Sequence, residues 1–387
     1  MPTTRANSTR TTDTAAPVAD ADDRQLAAVL ILAAGAGTRM KSTTPKVLHS
    51  IAGRSLLGHA IAAGRELNPE RLCVVVRHQR DRVADHALAF DKHVEIADQD
   101  DIPGTGRAVQ CALQTLGELH GSVVVTAGDT PLLDATELHA LLSAHQAAGN
   151  AVTVLSARVD NPFGYGRVIR DAAGAVTGIV EEKDADDAQR QVDEINTATY
   201  VFDADVLTRA LARVDQNNAQ GEVYLTDVIA LAHRDGERVG THILADAATA
   251  EGANDRSQLA RLGAELNRRT LERWMKAGVT IVDPGSTWID VDASFGTDVT
   301  IEPGCQILGA TTVADGVRIG PDTTIKDCEI AAGATLVRTH AELSEIQADA
   351  TAGPFVHLAP GSVVIAKERV KPFSAVGTSL DDAASPR

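Results

Sequence analysis

The pattern of apolar and polar positions divides the chain into segments of different kinds. From Leu26 onward, short β-branched runs alternate with helical patterns: strands are predicted over 27–32, 72–76, 122–126 and 151–159, and helices over 55–66, 106–116 and 136–148. This order favours a Rossmann-like α/β fold with a mostly parallel sheet, in which ligands bind beyond the carboxyl ends of the strands. We therefore expect the chemistry in the loops that follow the strands.

After residue 159 the pattern changes to glycine-punctuated hairpin candidates over residues 165–182, followed by further strand and helix segments. Such a change is typical of an insertion that covers a substrate pocket. A long helical pattern over 255–277 then ends at Gly278, and we interpret it as a connector between two domains.

The third region repeats with a period of six. Its aliphatic or aromatic positions are Ile289, Phe295, Ile301, Ile307, Val313, Ile319 and Ile325, and after a gap Ile346, Ala352, Leu358, Val364, Val370 and Val376. A period of six is typical of a left-handed hexapeptide β-helix, in which one residue per face points inward. The register slips around Ile330 and is lost through residues 339–345, which we interpret as an excursion loop. About five coils fit.

The length of 387 residues is too great for one ordinary core and suits two domains. We assign residues 25–253 to the α/β domain, 254–278 to a connecting helix, 279–380 to the β-helix and 381–387 to a tail. Residues 1–24 are rich in Thr, Ala and Asp and lack the apolar run of a signal peptide, so we predict a disordered leader.

Charge and composition exclude several classes of partner. The formal net charge of −17 argues against general affinity for nucleic acid or anionic membranes, and no stretch approaches the ~20 apolar residues of a membrane span. The four cysteines lie far apart, without the paired spacings of zinc sites. We interpret them as reduced, mostly buried thiols of a cytoplasmic protein.

A glycine-rich string directly follows the first predicted strand. It reads Leu32-Ala33-Ala34-Gly35-Ala36-Gly37-Thr38-Arg39-Met40, with Pro45-Lys46 a few residues later. Glycines at the end of a strand let backbone amides approach phosphate oxygens, and an Arg and a Lys can neutralise a triphosphate. The dinucleotide fingerprint requires Gly at position 40 and the P-loop requires Gly-Lys-Ser/Thr, so neither motif matches. A simple strand-to-helix turn is the alternative interpretation.

The string L-A-A-G-x-G-T-R-M with P-K resembles the start of the sugar-nucleotide pyrophosphorylases. Together with the hexapeptide region, residues 26–360 resemble the bacterial bifunctional N-acetylglucosamine 1-phosphate uridylyltransferase/glucosamine 1-phosphate acetyltransferase family. The resemblance implies a nucleotidyltransferase (pyrophosphorylase) domain that makes UDP-N-acetylglucosamine, a peptidoglycan precursor, and pyrophosphate from UTP and N-acetylglucosamine 1-phosphate with Mg²⁺. It also implies a homotrimer that assembles through the β-helix.

The family's site residues carry over to positions in several separate motifs. The resemblance implies that Arg39 and Lys46 are catalytic and meet the phosphates, and that Asp129 and Asn254 bind the metal. It further implies substrate contacts from Leu32, Ala33, Ala34, Gly35, Gln99, Gly104, Thr105, Gly128, Gly166, Glu181, Asn196 and Asn254, with Gln99, Gly104 and Thr105 reading the uracil and Gly166, Glu181 and Asn196 the sugar. From the residues alone, Asp129 could be a turn residue, Asn254 a helix N-cap and Glu181 a solvated strand acid.

Three positions depart from the family's pattern. Ala198 stands where the family usually has Gly, and Ala253 replaces a usual Val, which concerns the fit of the pocket. Ala359 stands where the family has an Arg that binds sugar phosphate. The family's second site also requires a His-containing motif that does not follow here, and we interpret His357 as a surface residue of the β-helix. We therefore expect no acetyltransferase activity.

Two alternatives stay open at this point. One is a pyrophosphorylase for another sugar 1-phosphate or another nucleotide. The other is a non-catalytic homologue with a regulatory or scaffolding role. The joint presence of Arg39, Lys46, Asp129 and Asn254 argues against the second.

Overall fold

The computed structural model describes residues 25–377, so the predicted leader and the predicted tail lie outside the described residues. The strands of the first part are β1 (Leu26–Leu32), β2 (Ser50–Ile51), β3 (Arg54–Ser55), β4 (Arg71–Val76), β5 (Glu95–Asp98), β6 (Ser122–Ala127), β7 (Val152–Arg158), β8 (Arg167–Arg170), β9 (Val176–Val180), β10 (Glu194–Asp203) and β11 (Val239–Ile243). The helices are α1 (Leu56–Glu66), α2 (Arg80–Phe90), α3 (Thr105–Leu116), α4 (Ala135–Ala148), α5 (Ala204–Leu211), α6 (Asp227–Arg234) and α7 (Arg256–Lys276).

The main sheet has the order β11-β7-β10-β6-β1-β4-β5, and β8 and β9 extend it beside β10. Strand β1 is parallel to both β4 and β6, whereas β10 is antiparallel to β6 and β7. The central strands are buried on both faces, which explains their continuous aliphatic runs. Because β10 runs the opposite way, its first residues lie at the same edge as the last residues of β1, β4 and β6.

The seven elements predicted in residues 27–159 are present, with no end displaced by more than one position. The predicted hairpin region contains the antiparallel pair β8 and β9. Helix α2 and strand β5 had no prediction. The helix buries only Val83, Ala84 and Ala87 and is otherwise charged or exposed, so its apolar periodicity is weak.

The predicted β-helix follows α7. Its strands are β12 (Thr280–Ile281), β13 (Trp288–Ile289), β14 (Ser294–Phe295), β15 (Thr300–Ile301), β16 (Gln306–Leu308), β17 (Thr312–Val313), β18 (Arg318–Ile319), β19 (Thr324–Lys326), β20 (Glu329–Ile330), β21 (Thr335–Leu336), β22 (Thr339–Glu342), β23 (Glu345–Ile346), β24 (Thr351–Ala352), β25 (Val356–Leu358), β26 (Val363–Val364), β27 (Arg369–Val370) and β28 (Ala375–Val376). Strands three apart in the chain stack in parallel, in sheets of six, six and five strands. These make five complete coils and two faces of a sixth. The predicted fold class, a Rossmann-like nucleotidyltransferase sheet followed by a short β-helix, is confirmed.

The predicted excursion loop at residues 339–345 is wrong, because the coil continues through it as β22 and β23. The usual spacing between inward residues is six positions, but three steps in this region have a spacing of five. These steps end at Ile330, Ala341 and Ile346. Each short corner contains a residue with positive φ, namely Asp327, Arg338 and Leu343, two positions after the inward residue. At most six-residue steps the left-handed residue comes one position later, so the shorter corners turn one residue earlier and the faces stay in register.

Helix α7 joins the two parts. It begins after Asp255, whose carboxylate caps the helix by accepting from the Gln258 amide at 2.8 Å. In the middle of the helix, the Asn267 side chain donates to the Thr287 carbonyl at 2.8 Å and accepts from the Ile289 amide at 3.0 Å. The helix is thereby fixed to the first coil. Within residues 25–377, no helix is long and apolar enough to cross a membrane.

Candidate active site

The glycine-rich loop follows β1 at the edge where the parallel strands end. A Cβ on Gly35 would have no neighbour within 4 Å, so the backbone there is open to a ligand. Gly37 has a φ of +59°, and a Cβ on it would lie 2.5 Å from the Lys46 Cβ, so only glycine lets the two segments come this close. A short 3₁₀ helix over Thr38–Met40 then presents Arg39 at the surface.

Four side chains predicted from separate motifs meet at this edge. The Arg39 Nη2 and the Lys46 Nζ both donate to the Asn254 Oδ1, at 2.8 and 3.0 Å, and Lys46 also forms an ion pair with Asp129. Backbone bonds fix the loop that carries Asp129, since the Gly128 amide donates to the Leu32 carbonyl at 2.9 Å and the Ala253 amide donates to the Asp129 carbonyl at 3.1 Å. The fold therefore brings two cations, one carboxylate and one amide oxygen into contact.

The oxygen atoms of this cluster fit a magnesium ion. Magnesium usually takes one or two protein oxygen ligands and completes its octahedron with water and substrate phosphates. Asp129 and Asn254 provide such a pair of oxygen ligands. In the structure, the Asn254 oxygen accepts hydrogen bonds from Arg39 and Lys46, and Asp129 forms an ion pair with Lys46. No group of three or more His, Cys, Asp or Glu able to hold a metal occurs in residues 25–377, so further ligands would have to come from elsewhere.

The predicted uracil-reading residues lie in the loop from β5 to α3. The Gln99 side-chain amide donates to the Ile102 carbonyl at 2.9 Å and the Gly104 carbonyl at 3.2 Å, which shapes this loop. Gly104 has a φ of +119°, and a Cβ on it would lie 2.2 Å from the Val223 carbonyl oxygen, so no other residue fits. Thr105 accepts from the Leu225 amide at 3.2 Å. The loop is thus fixed against residues 223–225.

The predicted sugar-binding residues form a second cluster around the start of β10. The Asn196 amide donates to the Gly166 carbonyl at 2.9 Å, and a Cβ on Gly166 would lie 3.3 Å from the Glu181 Oε2. The Glu181 Oε1 accepts from the Thr226 hydroxyl at 3.1 Å. Burial, followed by the negative charges of nearby acids, raises the pKa of Glu181 above its ordinary value. The cluster therefore places a partly buried carboxyl group beside a buried side-chain amide.

The backbone of β10 bulges next to Asn196. Its pairing with β7 shifts register between Asn196 and Thr199, and Ala198 in between has a φ of +59°. The Ala198 amide donates to the Asn196 Oδ1 at 3.1 Å, so the bulge orients the Asn196 side chain. The family's usual glycine at this position has a physical reason, because a left-handed residue favours glycine.

The predicted site residues do not include three further residues of these clusters. Tyr200 accepts from the Asn196 Nδ2 at 2.8 Å, Thr226 donates to Glu181, and a Cβ on Gly252 would lie 3.2 Å from the Asp129 Oδ2. Burial strongly raises the pKa of Tyr200, so it stays a neutral hydroxyl. The irregular backbone between Asn196 and Thr199 precedes Tyr200, and no sequence pattern marks it. The glycine in E-G-A-N precedes Asn254 by two positions, but this pattern is not specific.

Residues 29–194 match the family model described as a MobA-like NTP transferase domain. This match and the sheet together define the protein as a nucleotidyltransferase. It is 53% identical to the bifunctional protein GlmU of Pseudarthrobacter chlorophenolicus over 350 residues, which cover 90% of this chain and 71% of that protein. It is 54% identical to the GlmU of Kineococcus radiotolerans over 349 residues, with coverage of 90% and 71%, and 50% identical to that of Corynebacterium glutamicum over 341 residues, with 87% and 70%.

The chain therefore belongs to the family of the bifunctional protein GlmU. The resemblance identified from the sequence motifs is confirmed, and so is the prediction of an enzyme with the UDP-N-acetylglucosamine pyrophosphorylase type of nucleotidyltransferase activity.

Proposed function

We propose that the protein transfers the uridylyl group of UTP to N-acetylglucosamine 1-phosphate, forming UDP-N-acetylglucosamine and releasing pyrophosphate. The observation that carries this proposal is the meeting of Arg39, Lys46, Asp129 and Asn254 at one point of the sheet edge. Two cations and two oxygen donors at one point suit a triphosphate with its metal. Family membership and the cluster around Gly166, described above, support the choice of sugar.

The reaction asks for positioning and charge neutralisation rather than covalent help. A phosphate oxygen of the sugar 1-phosphate attacks the α-phosphorus of UTP in line, and the bond to the bridging oxygen of the departing pyrophosphate breaks. The attacking oxygen is already an anion, so no base is needed. Arg39 and Lys46 would exchange their bonds to Asn254 for oxygen atoms of the α-phosphate and of pyrophosphate.

We assign Asp129 and Asn254 as the protein ligands of Mg²⁺. When bound, the ion neutralises charge shared by the α-phosphate and the sugar phosphate. Asp129 pairs with Lys46 in the structure, so an Asp129 that held the metal would leave the Lys46 ammonium free to face the substrates. Asn254 in that role would likewise give up its hydrogen bonds from Arg39 and Lys46.

The remaining contacts divide between the nucleotide and the sugar. We assign the backbone of the glycine-rich string and of the strand β6 loop to UTP: Leu32, Ala33, Ala34, Gly35 and Gly128. Gln99, Gly104 and Thr105 would read the uracil, because the resemblance assigns this loop to the base and the Gln99 side chain holds its Ile102 and Gly104 carbonyls in place. Gly166, Glu181 and Asn196 would hold the sugar hydroxyls and the acetamide.

We also propose that this chain carries out no acetyl transfer. His357 is exposed and stacks on His340 of the preceding coil, with ring centroids 5.5 Å apart, which suits a surface role. Ala359 offers no charge for a sugar phosphate. Transfer of an acetyl group from acetyl-CoA to glucosamine 1-phosphate by the purified protein would contradict this proposal.

We also propose that the protein assembles as a homotrimer through the β-helix. A homotrimer would cover apolar side chains that the β-helix exposes, including Leu343, Phe355, Val363, Ile365 and Phe373. The four cysteines are buried free thiols, which supports a cytoplasmic location. We keep 25–253, 254–278 and 279–380 as the domain limits, and helix α7 lies within the second range.

Release of pyrophosphate in a panel of nucleotides and sugar 1-phosphates tests the function directly. We expect turnover with UTP and N-acetylglucosamine 1-phosphate in the presence of Mg²⁺, and at most slow turnover with glucose 1-phosphate or with ATP. Preference for another pair would favour the first alternative from the sequence. No release from any pair would favour the non-catalytic one.

A further inference from the structure

A short hairpin follows Lys46 directly in the chain. Lys46 begins a 3₁₀ helix that ends at Leu48, and the hairpin of β2 and β3 starts two residues later. Its two-residue turn, Ala52 and Gly53, has φ values of +47° and +86°, as in the tight turns that match the twist of paired strands. Little flexible chain therefore separates Lys46 from the hairpin tip.

The hairpin tip contacts the first coil of the β-helix. The Val291 amide donates to the Ala52 carbonyl at 3.1 Å, and the Arg54 Nε donates to the two carboxylate oxygens of Asp292 at 3.1 and 3.0 Å, with a further bond from its Nη2. A Cβ on Gly53 would lie 2.8 Å from the Asp290 carboxyl carbon. Hydrogen bonds, a forked ion pair and a close approach thus fix the tip on residues 290–292.

The same coil reaches the site by a second path. Helix α7, which is bonded to Thr287 and Ile289 through Asn267, runs back to Asn254 just before its N-cap. Its Gly263 packs against Ile51 of the hairpin, with a hypothetical Cβ 3.3 Å from the Ile51 Cγ2. The two paths close into a ring at the 3.0 Å bond from Lys46 to Asn254.

Packing holds the Ile51 side of the hairpin, which lies in a buried cluster with Leu132 and Leu262, and the His59 Nε2 donates to the Ile51 carbonyl at 3.0 Å. On the Arg54 side, a cavity of about 600 Å³ adjoins the hairpin, lined by Arg54, His59, Leu132 and residues of α4 and α7. Such a space leaves that side with fewer packing contacts. The directed bonds to residues 290–292 therefore set the position of the hairpin tip on the Arg54 side.

We propose that Arg54 and Asp292 are positioning residues for uridylyl transfer. Through the hairpin, their ion pair lets the first coil hold Lys46 at the place beside Asp129 and Asn254 where it meets the phosphates. The β-helix thereby contributes to the nucleotidyltransferase reaction without touching a substrate. This inference rests on the proposed function, which assigns Lys46 to the phosphates.

Steady-state kinetics of Asp292→Ala and Gly53→Ala in the full chain test the inference. Asp292→Ala removes the ion pair, and Gly53→Ala forces the tip away from Asp290 without a change of charge. We expect kcat to fall roughly tenfold in each, because small displacements of a catalytic group are costly. The KM for N-acetylglucosamine 1-phosphate should stay within about twofold, since its predicted contacts lie outside the ring. The double change Arg54→Asp with Asp292→Arg should recover most of kcat.

Lys326→Ala is the matched control, because Lys326 forms a 2.9 Å ion pair with Glu342 between two later coils of the β-helix. Its kcat should equal that of the wild type. Wild-type kcat in both test variants overturns the inference, and so does a loss of kcat that only follows a loss of folded protein in thermal melts. An inactive wild type instead removes the proposed function, and this inference with it.

Discussion

The α/β domain and the β-helix relate sequence to structure in opposite ways. In the α/β domain, the contact from Arg39 to Asn254 joins residues 215 positions apart. In the β-helix, each inward residue stacks on one in the next coil, as Ile307 stacks on Ile325, which in turn stacks on Ala341. The contacts of the β-helix therefore join residues that are close in the sequence, and the repeat predicts them. The contacts of the candidate active site join distant segments that only the folded sheet brings together.

This difference also separates what a mutation damages. The sheet of the α/β domain packs in two large hydrophobic cores, to which residues from the whole domain contribute. The positions of its loops therefore depend on the folding of the whole domain. A coil is stabilised by its neighbours along one dimension. Changes at the sheet edge should therefore affect turnover more than stability, and changes inside the coils the reverse.

The largest effect is expected from Asp129→Ala and Arg39→Ala. Each removes a charge from the cluster that faces the phosphates, so turnover should fall by about 10³-fold. The fold should stay intact, because both side chains lie at the edge of the sheet and outside its cores. Pyrophosphate release measures the first effect and circular dichroism the second. Asp85→Ala, at an exposed position of α2, is the control, and wild-type-like rates in either test variant would remove this site assignment.

The reverse behaviour is expected from Ile319→Ala, at a fully buried position of the β-helix. The cavity should lower the free energy of unfolding of the β-helix by about 3 kcal/mol, with kcat within about twofold of the wild type. Both tryptophans, Trp274 and Trp288, lie at the first coil or on the helix beside it, so their fluorescence follows this unfolding. Gln306→Ala, at an exposed position of strand β16, should change it by less than about 0.5 kcal/mol.

A smaller effect that links stability to substrate binding is expected from Glu181→Gln. Burial raises the pKa of Glu181, so the folded state favours its neutral form, and the stability from this group is present below pH 4.5 and lost as the pH rises through the raised pKa. The variant should therefore melt at a higher temperature than the wild type at pH 7, with the difference disappearing toward pH 4.5.

The same variant should bind sugar less well. Loss of a charged hydrogen-bond acceptor should raise the KM for N-acetylglucosamine 1-phosphate roughly tenfold. Glu182→Gln changes the neighbouring carboxyl, which bonds to Arg167 and to the Gly164 amide instead. An equal rise of KM in both variants would argue against a specific role of Glu181 in the pocket.

The smallest effect is expected from Ala198→Gly. Relief of the left-handed strain is worth about 1–2 kcal/mol and the added freedom of the unfolded chain costs about 0.5–1 kcal/mol, so a net gain of about 0.5 kcal/mol should appear in urea titrations. Ala375→Gly in strand β28 is the control and should lose stability. A loss at both positions would show that the bulge carries no strain.

The sequence was most informative where a pattern repeats or a motif is compact. The hexads predicted the inward residues from Ile289 to Ile325, and the glycine-rich string predicted the place of Arg39 at the end of the first strand. The corners with five-residue steps were missed, because a fixed period of six has no place for a turn that is one residue shorter. Helix α2 was missed because only three small or aliphatic residues face the core.

Contacts between distant segments were beyond the sequence. The motifs named Lys46, Asp129 and Asn254 separately. Their meeting depends on the pairing of β6 with β1 and on the backbone bond from Ala253 to the Asp129 carbonyl, which brings Asn254 to the site. The ion pair of Arg54 with Asp292 has no motif at all, since it joins an ordinary hairpin to an ordinary corner. The left-handed backbone of Ala198 was equally hidden, because its cause is a register shift between two strands.

The two corner lengths bear on how such a solenoid tolerates insertion and deletion. At most steps of six, the left-handed residue comes three positions after the inward residue, as at Asp298 and Asp322, and at steps of five it comes two positions after. Deletion of a single residue before the left-handed corner residue therefore leaves the strands on both sides paired in register. In a hairpin sheet, the same deletion would shift the strand register. The left-handed corners thus allow the β-helix to tolerate changes of coil length.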